Sequence, residues 1–319
     1  MKITAVAPSN IAFVKYWGRK DEVLRLPENG SISMNLSTLL TTTTVEFGDF
    51  ENDHVSFNGK IEDLENNRAI KHIDRIRKLA NLHKKVKIIT ENNFPTGTGL
   101  SSSASGFAAL TLAASSAAGL KLSKKDLSIL ARQGSGSACR SIPDGFVEWL
   151  DGDTSEESYA QSIFPADYFE IADVIAVVST ERKFLATSEG QKSARSGIFF
   201  EKRLEGISEK INKVKKLIEE KNFSEFGDLV EREALEFHSI LFTSNPPLFY
   251  WTPGTVAVMK YVQSLRRDGL ECYFTINTGQ DVHVICRSED AEKVAEKLKE
   301  LPKVIKTITN FPAPGAHLV

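Results

Sequence analysis

The chain has 319 residues, 41% of them apolar and 26% charged, with a formal net charge of −2. That length supports a large core and two domains, and the composition is that of an ordinary globular enzyme. The near-neutral charge argues against nucleic acid and anionic membrane as partners, and no run approaches the roughly 18 apolar residues of a membrane span. Residues 1–6 carry no signal-peptide pattern. Cys139, Cys272 and Cys286 cannot all pair and show no zinc spacing, so a reducing, cytoplasmic setting is expected. The six histidines form no ligand set of the His-Glu-x-x-His kind, and no protein-built metal site is expected.

In chain order, residues 2–7 read as a strand that leads into Ala7-Pro-Ser-Asn-Ile-Ala-Phe-Val-Lys-Tyr-Trp-Gly-Arg-Lys20. This segment sets Lys15 and Arg19 among apolar and aromatic neighbours. The lysine either snorkels to water or is held partly desolvated, where its charge acts most strongly. Residues 29–36 are polar and alternating, which suits a pocket lining or an edge strand. Strands follow at 41–47 and 54–57. A helix is predicted over 67–82, where Ile70, Ile73, Ile76 and Leu79 recur at three-residue steps.

A strand over 85–90 then leads into Phe94-Pro-Thr-Gly-Thr-Gly-Leu-Ser-Ser-Ser-Ala-Ser-Gly-Phe107, followed by a helix of Ala, Ser, Leu and Gly. Gly97 and Gly99 let the backbone approach a ligand closely, and the first-turn N–H groups with their helix dipole favour an anion. Ser101, Ser102 and Ser103 can donate to phosphate oxygens or reach a metal. An ordinary capped loop has the same composition. The strand–loop–helix order and the small-residue helix favour a phosphate cradle, though neither a Walker A loop nor a Rossmann fingerprint is present.

Ser123 with Asp126 signals a helix start. Arg132-Gln-Gly-Ser-Gly-Ser-Ala-Cys-Arg-Ser141 is a second Gly/Ser turn, closing on an arginine whose fork suits phosphate or carboxylate. Strands are predicted at 145–149, 171–178, 271–276 and 282–286, and helices at 199–221, 224–241, 255–267 and 290–301. A further strand is read near 303–309. Helices and strands mixed in this way give an α/β (α+β) chain.

Taken together, Pro8-Ser-Asn-Ile-Ala, Lys15-Tyr-Trp-Gly18, the cradle 95–106, Gly134-Ser-Gly-Ser-Ala-Cys-Arg-Ser141 and Cys272-Tyr-Phe-Thr275 resemble the diphosphomevalonate decarboxylase family of the GHMP kinase superfamily. The resemblance runs in consistent order over nearly the whole chain. It implies a GHMP kinase fold: an N-terminal domain like ribosomal protein S5 domain 2 over 1–175, and a ferredoxin-like C-terminal domain over 176–319. The active site would lie in the cleft between them, and a homodimer is expected. The implied reaction uses ATP and Mg²⁺ to phosphorylate the 3-hydroxyl of a mevalonate phosphate; the 3-phosphate then leaves with loss of CO₂, giving an isopentenyl product. By this resemblance Pro95, Gly97, Gly99, Ser101, Ser102 and Ser103 hold the ATP phosphates. Tyr16, Arg19, Ser135, Ser137, Arg140, Arg182, Lys183 and Ser188 hold the substrate. Lys15, Arg140, Asn277 and Asp281 stand at or near the catalytic positions, and Phe57, Asn58 and Gly59 lie near the adenine.

Two segments depart from the family pattern. Where the family carries Asp-Ala-Gly-Pro-Asn, this chain has Asn277-Thr-Gly-Gln-Asp281. An amide cannot serve as a general base, and Asp281 is the substitute candidate. Where diphosphate-using members carry Ser-Ser-Arg, this chain has Ser188 followed by Glu189. One cation fewer and one carboxylate more would suit mevalonate 5-phosphate over the 5-diphosphate. The alternatives are an ATP-independent mevalonate 3,5-bisphosphate decarboxylase, a small-molecule kinase such as a mevalonate 3-kinase, and a non-enzymatic binder of isoprenoid precursors.

Overall fold

The first strand continues through the polar run that follows residue 7. In a computed structural model that describes residues 1–95, 97, 99–181 and 185–319, β1 spans Lys2–Val14. After a short hairpin, β2 (Arg19–Asp21) and β3 (Leu26–Pro27), comes β4, Ser31–Gly48. β1 and β4 pair antiparallel along most of their length, with register shifts between Pro8 and Asn10 and between Ala12 and Val14. Several of their buried polar atoms are satisfied at long range. Ser9 Oγ donates to the Leu100 carbonyl at 2.7 Å, and Asn35 Nδ2 donates to that of Pro143 at 2.7 Å. A buried polar side chain costs little once it is hydrogen-bonded, so these segments can form buried strand.

β5 (His54–Phe57) and β6 (Lys60–Ile61) follow, then α1 (Arg68–Ala80) and β7 (Lys85–Asn92). In α1, Ile73 and Ile76 are buried, whereas Leu79 is 56% exposed. A three-residue step drifts by roughly 60° around a helix, so the fourth member of the series has turned away from the core. His72 takes a buried position instead. The helix after the cradle, α2 (Ser102–Ala117), is buried along most of its length, as its small residues allow. α3 (Lys124–Gly134) opens with the expected capping box between Ser123 and Asp126. A 3-10 turn, Gly136–Ser141, and β8 (Phe146–Trp149) and β9 (Ala160–Phe164) complete the first half.

The second half contains β10 (Ile171–Val177), the short α4 (Thr187–Gly190), α5 (Phe200–Glu219), α6 (Phe223–Thr243), α7 (Pro253–Arg267), β11 (Cys272–Thr275), β12 (Val282–Arg287), α8 (Ala291–Lys299), β13 (Lys306–Asn310) and β14 (His317–Leu318). Among the described residues, one sheet has the order β14-β1-β4-β7-β5-β6, with β8 and β9 branching from β4. A second is the antiparallel β11-β12-β10-β13, and β2-β3 forms a small third. The last strand therefore returns to the first sheet. A continuous apolar core joins the halves, drawing Phe13 and Met34 from the first sheet, Ile171 and Ile175 from β10, and Val214 and Phe226 from α5 and α6. Phe13 meets Phe226 edge-on at 4.9 Å. This packing fixes the end of β1, and with it Lys15, against the second half.

Candidate active site

One cavity of about 230 Å³ gathers most of the residues singled out in the sequence. Lys15, Tyr16, Arg19, Gly97, Gly99, Ser101, Ser102, Ser103, Ser135, Ser137, Arg140, Ser188 and Asn277 all line it. Pro95 is not among the lining residues, and Arg182 and Lys183 lie outside the described residues.

The cradle is built by backbone conformation. Gly99 has φ +114°, and a Cβ there would meet the Gly279 Cα at 2.6 Å, so the cradle and the loop carrying Asn277 touch backbone to backbone. Ser101, the N-cap of α2, has φ +56° and makes no side-chain capping bond. The first turn of a long buried helix thus faces the cavity with its donors and its dipole. The second Gly/Ser turn closes against it: Ser103 Oγ and Ser135 Oγ lie 3.3 Å apart. Gly136 leaves space for Tyr16, whose hydroxyl oxygen would sit 2.5 Å from a Cβ at that position. Tyr16 itself rests edge-on against Trp149 at 4.6 Å.

Lys15 follows directly after β1 and is 3% exposed. Its Nζ donates to the Ala12 carbonyl at 2.5 Å, to Thr275 Oγ1 at 2.7 Å and to Asn277 Oδ1 at 3.2 Å. Burial lowers its pKa to about 7; Glu233 and Asp173 pull the value up, and Arg140 and Arg203 push it down. Of the two options left open by the sequence, desolvation is the one realised. Asn277 bridges the halves of the site, because its Nδ2 donates to Ser101 Oγ at 3.2 Å.

Arg140 is buried and aimed by Ser31 Oγ at 2.8 Å and by Asn10 Oδ1 at 3.0 Å. Asn10 is fixed in turn, donating to Ser141 Oγ at 2.8 Å. Arg19, although largely buried, pairs with Glu22 at 2.6 Å. Two further cations had no signal in the sequence: Arg25 and Arg68 also line the cavity. Arg25 holds an αL backbone, φ +54°, and its Nε donates to the Gln133 carbonyl at 3.1 Å. Burial, and then the neighbouring Arg19 and Arg68, lower its pKa to about 10. Arg68 reaches across from α1 to the Gly134 carbonyl at 2.9 Å. Five cationic side chains and no carboxylate therefore line this cavity among the described residues. Such a wall is complementary to a polyanion.

Asp281 is not brought to this wall. It is 3% exposed and accepts a hydrogen bond from the Val178 N–H at 3.0 Å, at the end of β10. Burial raises its pKa to about 6. Its Oδ2 has no hydrogen-bond partner among the described residues. The glutamate that follows Ser188 is also absent from the lining and is exposed, so it adds no negative charge to the cavity.

A neighbouring cavity of about 410 Å³ shares Arg68, Ser102 and Ser103 with the first and is lined otherwise by Val55, Phe57, Ile88, Phe107 and Leu110, among others. Its walls suit a flat apolar group attached to something held in the cradle. Among the described residues no group of three or more His, Cys, Asp or Glu side chains could hold a metal ion. The serine hydroxyls at the start of α2 fit a hard cation only when phosphate oxygens supply most of its ligands, which is how Mg²⁺ ordinarily binds.

Residues 7–160 match the family described as diphosphomevalonate decarboxylase-like N-terminal domain, and residues 173–314 match the mevalonate 5-diphosphate decarboxylase C-terminal domain. The diphosphomevalonate decarboxylase of Candida albicans is 35% identical over 314 residues, spanning 92% of this chain and 87% of that protein. The chain belongs to the diphosphomevalonate decarboxylase family. The Bos taurus member is 36% identical over 82% of this chain and 70% of its own length. The crystal structure of mevalonate diphosphate decarboxylase from Staphylococcus aureus superposes with a TM-score of 0.94 at 34% identity, covering 100% of this chain and 98% of that one. A solved complex of MDDEF with MVAPP, AMPPCP and magnesium gives a TM-score of 0.93 at 34% identity, covering 100% and 99%. The GHMP kinase fold and family membership expected from the sequence therefore hold.

Proposed function

We propose that this chain catalyses the ATP-dependent decarboxylation of mevalonate 5-diphosphate, with Mg²⁺ carried on the nucleotide. The observation that carries this reading is a single cavity in which the phosphate cradle meets Lys15 and Arg140, with no carboxylate in the lining among the described residues. Relatives named for this activity, and a related structure holding MVAPP, AMPPCP and magnesium, support it. The N-terminus of α2 with Ser101, Ser102 and Ser103 would hold the nucleotide phosphates, and the adjoining apolar cavity with Phe57 would take the base. The hydroxyls of Ser102 and Ser103 would hold Mg²⁺ together with the nucleotide's phosphate oxygens, and the ion would supply charge neutralisation for the transferring group.

Phosphoryl transfer through a loose transition state asks chiefly for positioning and neutralised charge. Lys15, with its N–H groups already engaged by Ala12, Thr275 and Asn277, acts through its field on the transferring phosphoryl group. The Asn277 amide orients the 3-hydroxyl without accepting its proton, which passes to a phosphoryl oxygen. Arg140, held by Asn10 and Ser31, grips the substrate carboxylate. Once the tertiary C3–O bond breaks, the carboxylate C–C electron pair forms the new double bond, and CO₂ and phosphate depart. Tyr16, Arg19, Ser135, Ser137 and Ser188 belong to the substrate side. Residues 1–175 are taken as the ATP-handling domain and 176–319 as the second. The active unit is taken as a homodimer, checked by light scattering, and the unpaired Cys139, Cys272 and Cys286 support a reducing, cytoplasmic setting.

Arg25 and Arg68 tip the 5-phosphate preference toward the diphosphate, because they add positive charge that the Ser188–Glu189 departure alone left out. The second reading, mevalonate 5-phosphate, rests on Ser188 being followed by Glu189, with no arginine in the sequence until Arg195. Endpoint assays on both substrates, with and without ATP, following ADP and CO₂, test all of these. Equal yields of ADP and CO₂ with a higher kcat/KM for the diphosphate are expected. ADP without CO₂ would make the chain a kinase, and CO₂ from the 3,5-bisphosphate alone would remove ATP from the reaction.

A further inference from the structure

The peptide unit that carries Lys15 is gripped on both faces from the second half of the chain. Its N–H donates to Glu233 Oε1 at 2.9 Å, and its carbonyl accepts from Arg203 Nη2 at 2.8 Å, as well as from Asn29 Nδ2 at 2.9 Å. Glu233 on α6 and Arg203 on α5 are joined by a short salt bridge, with side chains 0% and 1% exposed. Lys210 on α5 closes on the other Glu233 oxygen at 2.7 Å.

As a device for stability this arrangement is poor. Burying an ion pair removes two charges from water, and a well-packed apolar pair commonly does as well or better. Arg203 also keeps its Nε and Nη1 buried without a hydrogen-bond partner among the described residues, the nearest carboxylate to Nη1 besides Glu233 being Glu236 on α6, at 3.9 Å and also paired with Lys210. What the pair does supply is directional. Two backbone atoms of one residue, Lys15, are fixed by groups whose negative and positive charges also act on its ammonium.

We infer that the Arg203–Glu233 pair is a positioning device for Lys15, fixing its backbone between α5 and α6 and setting the electric field at its Nζ. The inference rests on the proposed decarboxylation, in which Lys15 works as a cation. The charged and titratable groups that face Lys15 are Glu233 and His238 from α6, Arg203 from α5, Arg140 from the 3-10 turn, and Asp173 from β10, which is paired with His283 at 2.8 Å. Asn277 contributes no charge. Glu233 is thus the larger of the two acidic influences on Lys15, and Arg203 opposes it.

Glu233→Gln and Arg203→Met break the same ion pair, yet they change the field at Lys15 in opposite senses. The test is the pH profile of kcat/KM, together with kcat and KM, for wild type and both variants, with folding checked by thermal unfolding. Both variants are expected to lose about 10- to 100-fold in kcat with KM little changed, because displacing a reacting group by about 1 Å costs on this scale. The alkaline limb is expected to move to lower pH in Glu233→Gln and to higher pH in Arg203→Met. A merely structural pair would lower the melting temperature in both and leave the limb in place; that result overturns the inference. Should either variant not fold, Arg203→Lys carries the test. It keeps the cation and loses the fork, so lower kcat with an unmoved limb is expected, and wild-type kcat would overturn the inference. If wild type forms neither ADP nor CO₂, the proposed reaction itself has failed, which is a separate outcome.

Discussion

Replacing Asn277 by aspartate adds a negative charge about one hydrogen bond from the Lys15 ammonium, because Asn277 Oδ1 lies 3.2 Å from Nζ. Two unit charges at that distance interact by roughly 5 kcal/mol at an effective dielectric constant of about 20, equivalent to roughly 3–4 pKa units. Asn277 is only partly buried, so water lowers this figure, and an increase of roughly 2 units is a fair lower expectation. The Lys15 pKa, held at about 7 chiefly by burial, would then return toward the ordinary lysine range. In wild type the free enzyme loses the required cation as pH rises past that value, so kcat/KM declines on the alkaline side. Bound polyphosphate stabilises the ammonium, so the limb in kcat lies at higher pH than the limb in kcat/KM. In Asn277→Asp both limbs move up, and the variant outpaces wild type in the phosphorylation step at alkaline pH. The assay is ADP release, coupled and in single turnover, from about pH 6 to about pH 10. Coincident limbs for wild type and variant would refute the reasoning, as would a wild-type kcat/KM with no decline in that range.

Gly99→Ala should lower kcat by about 100-fold or more with the fold retained. A Cβ 2.6 Å from the Gly279 Cα must push the cradle and the Asn277 loop apart by about 1 Å, and φ +114° is itself costly for alanine; ADP-release kinetics and a thermal melt separate the two effects. Acid should destabilise the protein through two histidines. Burial depresses the pKa of both His72 and His238 to about 3, so their contribution is complete above the unfolded value of about 6.5 and is lost as pH falls from there toward 3. At pH 5 each accounts for roughly 2 kcal/mol, and His72→Leu should make the fall in denaturant midpoint between about pH 7 and about pH 5 shallower. An unchanged slope would show that His72 takes its proton within the fold.

Local chemistry determined a good deal of this protein. The Ser123–Asp126 capping box, the helix α5 and the strands β5 and β7 were legible because each is decided by neighbours within a few residues. The cradle was legible for the same reason, since glycine and serine ahead of a helix act locally. The sequence pattern ends the first strand at residue 7 and makes residues 29–36 a pocket lining or an edge strand, yet residues 8–14 and 31–36 form buried strand. Ser9, Asn10, Ser31 and the Asn35 amide nitrogen are satisfied by residues around position 100 and between 137 and 143, which no periodicity count can see. Arg25 and Arg68 enter the cavity from a turn and a helix start more than forty residues apart, and only packing brings them together. Asp281 lies away from the cavity lining because the residue after β10, Val178, holds its carboxylate. The sequence alone thus determined which chemistry the chain carries. How Lys15 is used depends on burial and on Glu233, 218 residues away. Desolvation and Coulomb energy follow distance in space, and distance along the chain does not enter them.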